Sequence, residues 1–389
     1  MKSPSLGDSR VGKKACGAKH TVAWLLASIL PPVMAASSSN PFTFGSVVLH
    51  PSVSYFISSS DGAQSRPGNP VKTVLQTATA GVSTDLGKRW STSYSASWSH
   101  YSSTQFNDAV DQSASLSGSD TLGEWAVHVA ASYGSFSAPI AETGKQTKGY
   151  SISTSAGGSR HFSPNLSLEL GLSRNFNFAN QYDSGGDLGM NGRIHYSFSR
   201  SLDASIGTSA SYVTKGSNPD QLALNPTVGV GWRPSSKLSL SASAGASRNQ
   251  FSGANGKSFD NPTYGLSLSY QPLSATSLSA GATRSIGRSY FDNQVSETTS
   301  WSLGFNQRLF RGTSLTATAG HSEVFYRSTT VNVPAGRNDG INSVDYSLTT
   351  GFLRRGSVAL IYGRSRDASN RAGFSFTSTR IGARLTYAY

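Results

Sequence analysis

Across 389 residues only 14% are charged and 10% are aromatic, with glycine and serine abundant, whereas a soluble domain of this size carries roughly 25% charge. No apolar run reaches the ~18 residues that a membrane-spanning helix needs, which excludes a helical inner-membrane protein. The formal net charge of +13 favours anionic partners such as lipid phosphates, acidic polymers or anionic solutes.

The first segment reads as an export signal. Lys13, Lys14 and Lys19 precede the apolar run Thr21 to Leu30, and Val33-Met34-Ala35 places small residues at cleavage spacing. Residues 1–35 are therefore expected to leave and residues 36–389 to form the mature domain. The single cysteine, Cys16, leaves with the signal, so no disulfide framework is expected. Five basic residues and Asp8 go too, which lowers the charge to +9. For an exported chain, nucleic acid is not an expected partner.

The mature chain is a succession of short alternating segments. Trp90, Tyr94, Ala96 and Trp98 alternate with serines. Trp125, Val127, Val129, Ala131 and Tyr133 alternate with Ala126, His128, Ala130 and Ser132. The same period-two pattern returns at Leu166 to Leu172, Met190 to Phe198, Tyr264 to Tyr270 and Trp301 to Phe305. Such alternation puts the two sets on opposite faces of strands, and no helix is expected in the mature chain.

Short turns fall near Gly87-Lys88, Gly123-Glu124, Ser163-Pro164-Asn165, Arg200-Ser201, Pro234-Ser235-Ser236, Leu273-Ser274-Ala275, Arg311-Gly312 and Arg355-Gly356. Between them lie longer polar links: Ser58 to Pro70, Ala138 to Thr147, Lys215 to Asn225, Gly253 to Asn261 and Ser328 to Asn342. Short and long connections take turns, as in a barrel with short turns at one membrane face and longer loops at the other. Similar stretches such as SPNLSLELGLSRNFNF and SSKLSLSASAGASRNQF recur through the second half, at a spacing that fits one turn, two strands and a loop. A propeller is the alternative for repeats of this length, but it leaves the sorting of loops unexplained. The expected fold is all-β: a transmembrane antiparallel up-and-down barrel of eighteen strands with both termini periplasmic. Sixteen strands are the alternative, because Pro51 lacks an N–H for the first ladder.

If the apolar partners face lipid, Asp85, His128, Glu169, Arg193, His195, Asp203, Arg308, Asp345, Arg380 and Arg384 point inward, and a barrel of this size is wide enough for an aqueous channel. On the outward face the apolar series ends in arginine four times: Arg174, Arg248, Arg284 and Arg364. These are candidates for lipopolysaccharide phosphates, which a guanidinium binds bidentately. Simple snorkelling at the interface is the alternative. No catalytic arrangement stands out. The histidines lack paired metal-ligand spacing and there is no G-x-S-x-G elbow, so neither enzyme activity nor a metal or cofactor is expected.

The last stretch, Thr379 to Tyr389, alternates again and ends on an aromatic pair. It resembles the C-terminal assembly signal of bacterial outer-membrane barrels, matched here by Gly382, Leu385, Tyr387 and Tyr389. Together with Arg364 to Asn370, Phe374 to Tyr389 and the earlier Ser289 to Asn293, the chain resembles the outer-membrane β-barrel porins associated with exopolysaccharide export loci. That resemblance implies an outer-membrane exit pore for secreted polysaccharide. Its expected partners are the barrel assembly machinery, outer-membrane lipid with lipopolysaccharide, and periplasmic polysaccharide export proteins. Two other functions fit the same residues: a diffusion porin for small solutes, and a plugged barrel serving as an adhesin or structural anchor.

Overall fold

The computed structural model describes residues 42–389 except 67–68, 141–144, 181, 217, 253–256, 290–293, 311 and 329–335. The expected signal segment, 1–35, and most of Ser289 to Asn293 lie outside the described residues. Eighteen long antiparallel strands follow one another: β1 (Val47–Arg66), β2 (Asn69–Leu86), β3 (Trp90–Tyr101), β4 (Ala109–Leu122), β5 (Trp125–Phe136) and β6 (Gly149–Ser163). They continue with β7 (Leu166–Ala179), β8 (Tyr182–Ser197), β9 (Leu202–Lys215), β10 (Asn218–Ser235), β11 (Leu238–Phe251) and β12 (Ser258–Leu273). The last six are β13 (Thr276–Arg288), β14 (Gln294–Phe310), β15 (Thr313–Ser328), β16 (Asn338–Phe352), β17 (Gly356–Ser369) and β18 (Phe376–Ala388). Each pairs with its sequence neighbour, and β18 returns to β1 over Ser52↔Ala388 to Ser60↔Arg380, which closes the ring. Closure leaves no unpaired edge, the condition for strands to cross lipid.

Pro51 lies inside β1, opposite Val82. The ladder between β1 and β18 ends at Ser52↔Ala388, and just beyond it the Tyr389 N–H donates to the Pro51 carbonyl at 2.9 Å. The side of Pro51 that lacks an N–H thus faces the lower end of the seam, where no further ladder depends on it. The count is therefore eighteen rather than sixteen.

Opposed residues in an antiparallel pair share a face, so one apolar stripe fixes the orientation of the whole sheet. Outward side chains form a band of exposed leucine, valine and isoleucine, such as Leu170, Leu172, Ile206, Val228, Leu266 and Leu303. Rings border it above and below: Trp98, Tyr133, Tyr264 and Trp301 on one side; Trp90, Tyr196, Trp232 and Tyr270 on the other. On β5 the band runs from Trp125 to Tyr133, the length of about nine residues that a tilted strand needs to cross the hydrocarbon. Buried side chains are few because the core of this fold is the lipid outside and water within.

The connections are sorted by end. The end that carries Tyr389 has turns of two to four residues; the other has links of two to twelve. Gly87 and Gly123 hold two of the short turns at φ +68° and +60°, a region other residues enter at a cost. Two of the expected long links prove largely strand. Ser58 to Pro70 is interrupted only at 67–68, and in Lys215 to Asn225 strand resumes at Asn218. Their polar residues extend the hairpins beyond the apolar band, where water lies on both faces and alternation has no reason to persist.

Candidate functional site: the lumen

The register places all ten inward candidates on the face opposite the apolar stripe. Several are paired along the wall. Asp85 meets His50 at 3.1 Å, Glu169 meets His195 at 3.5 Å, and Arg380 meets Asp345 at 3.2 Å. Others lie against a glycine on the next strand. His128 lies over Gly157, and a Cβ at Gly231 would sit 2.6 Å from the Asp203 carboxylate. Asp345 lies over Gly363, and Arg193 stands beside Gly207. A missing Cβ lets the neighbouring side chain lie flat, so the wall stays polar without filling the space it encloses. Arg308 sits close to the short-turn end of β14 and Arg384 on the seam strand β18.

The upper half of the inner wall is covered on one side. Inward Ser58, Val71, Thr73 and Tyr101 are all nearly sealed from solvent. The β3–β4 connection delivers Phe106 onto this sector, 5.2 Å from the Tyr101 ring and against Val71. The β5–β6 connection carries a small hairpin, Pro139–Ile140 with Lys145–Gln146, that approaches β1. Gln146 joins the two connections: it accepts from the Asn107 N–H at 2.8 Å and donates to the Asn107 carbonyl at 2.9 Å. Ser137 adds a 2.7 Å bond to Asp111 on the inner face of β4. On the β10–β12 side, buried Asn249 accepts from Gln221 at 2.7 Å and donates to Ser247 at 2.9 Å. Sequence alternation gives no sign of these infolded contacts, since Phe106 stands among Ser, Thr, Gln, Asn and Asp.

A second group missed by alternation sits at the upper rim. The Arg337 guanidinium lies 3.8 Å from the Phe374 ring centroid and 4.7 Å from that of Tyr326, and it donates to Asp339 at 3.0 Å. Asp367, beyond Tyr362 and Arg364 and hence above the apolar band, shares this pocket. Burial first, and then the Asp339 charge, push its carboxyl up to about 6 against the pull of Arg337.

The four outward arginines are not equivalent. Arg284 is ion-paired with Glu297, which also binds Arg327 at 2.6 Å, and Glu297 is almost fully buried. Arg248 has a loose contact with Asp260 at 3.9 Å. Arg174 and Arg364 have no ion pair among the described residues. On the terminal strand, Leu385 and Tyr387 face outward and Gly382 inward. Tyr389 is clasped by the Phe42 ring at 4.8 Å and the Arg355 guanidinium at 3.6 Å. Among the described residues, no three His, Asp or Glu side chains gather as metal ligands.

A closed eighteen-strand barrel with a lipid-facing apolar band, ringed by aromatics around a polar interior, is a bacterial outer-membrane β-barrel of porin size. No family model matches the chain, and no curated protein does. Among solved structures, the outer membrane protein OpdK of Pseudomonas aeruginosa is 12% identical and covers 88% of this chain and 99% of its own, with a TM-score of 0.49. OccAB4 of Acinetobacter baumannii is 10% identical over 90% of this chain and 100% of its own, with a TM-score of 0.49. The siderophore receptor PirA of Pseudomonas aeruginosa is 10% identical over 88% and 80%, with a TM-score of 0.46. At these identities the likeness is one of general architecture.

Proposed function

We propose that this barrel is a diffusion porin for small hydrated solutes, with the short turns and both chain ends on the periplasmic side. The observation that carries this reading is the infolded pair of connections. Gln146 and Asn107 tie them together, and Phe106 packs onto the inner wall. A lumen narrowed in this way on a wall of mixed charge suits sorting of small polar molecules better than passage of a long polymer. Export of exopolysaccharide with periplasmic partners is the second reading; the flat, glycine-backed inner wall favours it, since a polymer slides most easily on a smooth surface. Assembly by the barrel machinery, with lipopolysaccharide around the outer rim, is part of either reading.

The test is single-channel conductance of the refolded full-length chain in a planar bilayer, followed by liposome swelling with sugars of increasing size. Steady openings with a cutoff near small oligosaccharides are expected. Free passage of a long acidic polysaccharide would replace the porin reading with the export one. Silence from a barrel proven folded by its heat-shifted mobility would leave a plugged barrel acting as an adhesin or anchor.

A further inference from the structure

Two arginines project from the same inner stripe of β18, four residues apart, and differ in how they are held. Arg380 is neutralised by Asp345 at 3.2 Å. Arg384 has no acidic partner and no hydrogen-bond acceptor among the described residues; what holds it is the Phe56 ring, whose centroid is 5.1 Å from the guanidinium carbon. Phe56 is itself placed by Gly382, where a Cβ would come within 3.1 Å of the ring. A cation–π contact fixes a guanidinium while leaving its N–H donors unused, which an ion pair does not.

Those donors open onto a recess of about 480 Å³ on the inner wall, within the size range of small-molecule sites. Its walls come from the three strands at the seam. Ser52 and Ser54 belong to β1, Thr77 and Thr79 to β2, and Thr386 to β18. Five hydroxyls around one unneutralised guanidinium match a solute that is rich in hydroxyls and carries a single carboxylate. A plain fatty or aromatic acid would leave the hydroxyl row unmatched, and a neutral sugar would leave the guanidinium unmatched.

We propose that this recess is a binding subsite for a monomeric sugar acid, with Arg384 taking the carboxylate and the serine and threonine row taking the ring hydroxyls. The proposal rests on the porin reading for its meaning as a stop along a path, but not for its test. Calorimetric titration of the full-length barrel in detergent micelles with sodium glucuronate, glucose and acetate measures binding whether or not the barrel conducts. Glucuronate is expected to bind at least about tenfold more tightly than either control, the weight of one charge-assisted hydrogen bond. Arg384→Gln should remove that margin, and Thr386→Val should weaken glucuronate while leaving acetate unchanged. In bilayers, the same order should appear as blockade of open channels. Equal binding of glucuronate and acetate, or glucuronate binding untouched by Arg384→Gln in a folded barrel, would overturn the subsite. Bilayer silence with intact titration would instead sink only the porin reading.

Discussion

Gln146 and Asn107 are hydrogen-bonded twice, side chain to backbone in both directions, at 2.8 and 2.9 Å. They stand 39 residues apart in sequence, on two different connections, so this reciprocal pair makes one body of two segments. It also accounts for how a connection rich in small polar residues keeps Phe106 seated on the inner wall. Gln146→Ala is expected to raise mean conductance and to add brief current fluctuations, with the barrel's heat-shifted mobility unchanged. Phe106→Ala should do the same more strongly. If neither variant alters the current, the infolded segment does not narrow the path.

Glu297 should behave as a structural acid. It lies on the outward face of β14, nearly sealed, between Arg284 and Arg327. Glu297→Gln leaves two guanidinium groups without their counter-charge and is expected to destabilise the barrel by about 1–3 kcal/mol, solvent screening the arginines that stay about a third exposed, read as a lower urea midpoint. Arg284→Ala should likewise cost stability. Substituting Arg174 and Arg364 should leave the midpoint in place and reduce lipopolysaccharide co-purification. Unchanged lipopolysaccharide in that double variant would make snorkelling their whole role.

Asp367 gives a pH signature. Its carboxyl ordinarily titrates at 3.8 and is raised to about 6 in the fold. The folded state therefore holds this proton more tightly than the unfolded chain does. The resulting stabilisation is complete below about pH 4 and is lost as pH rises through about 6. Asp367→Asn keeps the site neutral at every pH, so its gain in stability over the parent should be evident at pH 8 and vanish near pH 4. A gain of equal size at both pH values would show that the cause is not titration.

Gly382 is expected to limit assembly. A Cβ there would lie 2.7 Å from the Ile57 carbonyl oxygen and 2.9 Å from the Ser58 Cβ across the seam. The backbone on β1 has little freedom to withdraw, because β1 is bonded to β2 on its other side. Gly382→Val should lower the folded fraction in refolding trials, whereas Arg380→Gln on the same face should leave it near the parent level. Equal yields for Gly382→Val and the parent would show that the seam yields locally.

Much of the wall was legible because lipid imposes a strict period. Trp125 to Tyr133 and Leu166 to Leu172 have no freedom to break alternation while one face meets hydrocarbon. Where water lies on both sides that constraint ends, and strand residues around Ser58 to Arg66 and Asn218 to Asn225 read as loop. Inward orientation of Glu169 or Asp203 follows from parity alone. The ion pairs of Glu297 do not: Arg284 lies 13 residues away and Arg327 on a third strand, and only the strand register brings them together. Phe106 was equally silent, since a single ring in a polar connection carries no period.

The seam also sets an order of events in time. Ser60 and Ser378 touch across it, 318 positions apart, so the strand made earliest waits for the strand made latest before its second row of backbone groups is satisfied. Every intermediate shorter than the full ring presents two sticky borders to its surroundings, and contacts this distant form slowly. Until the circle shuts, both open borders are free to pair with other chains. The chain's most dangerous moment is the interval before the final hairpin arrives.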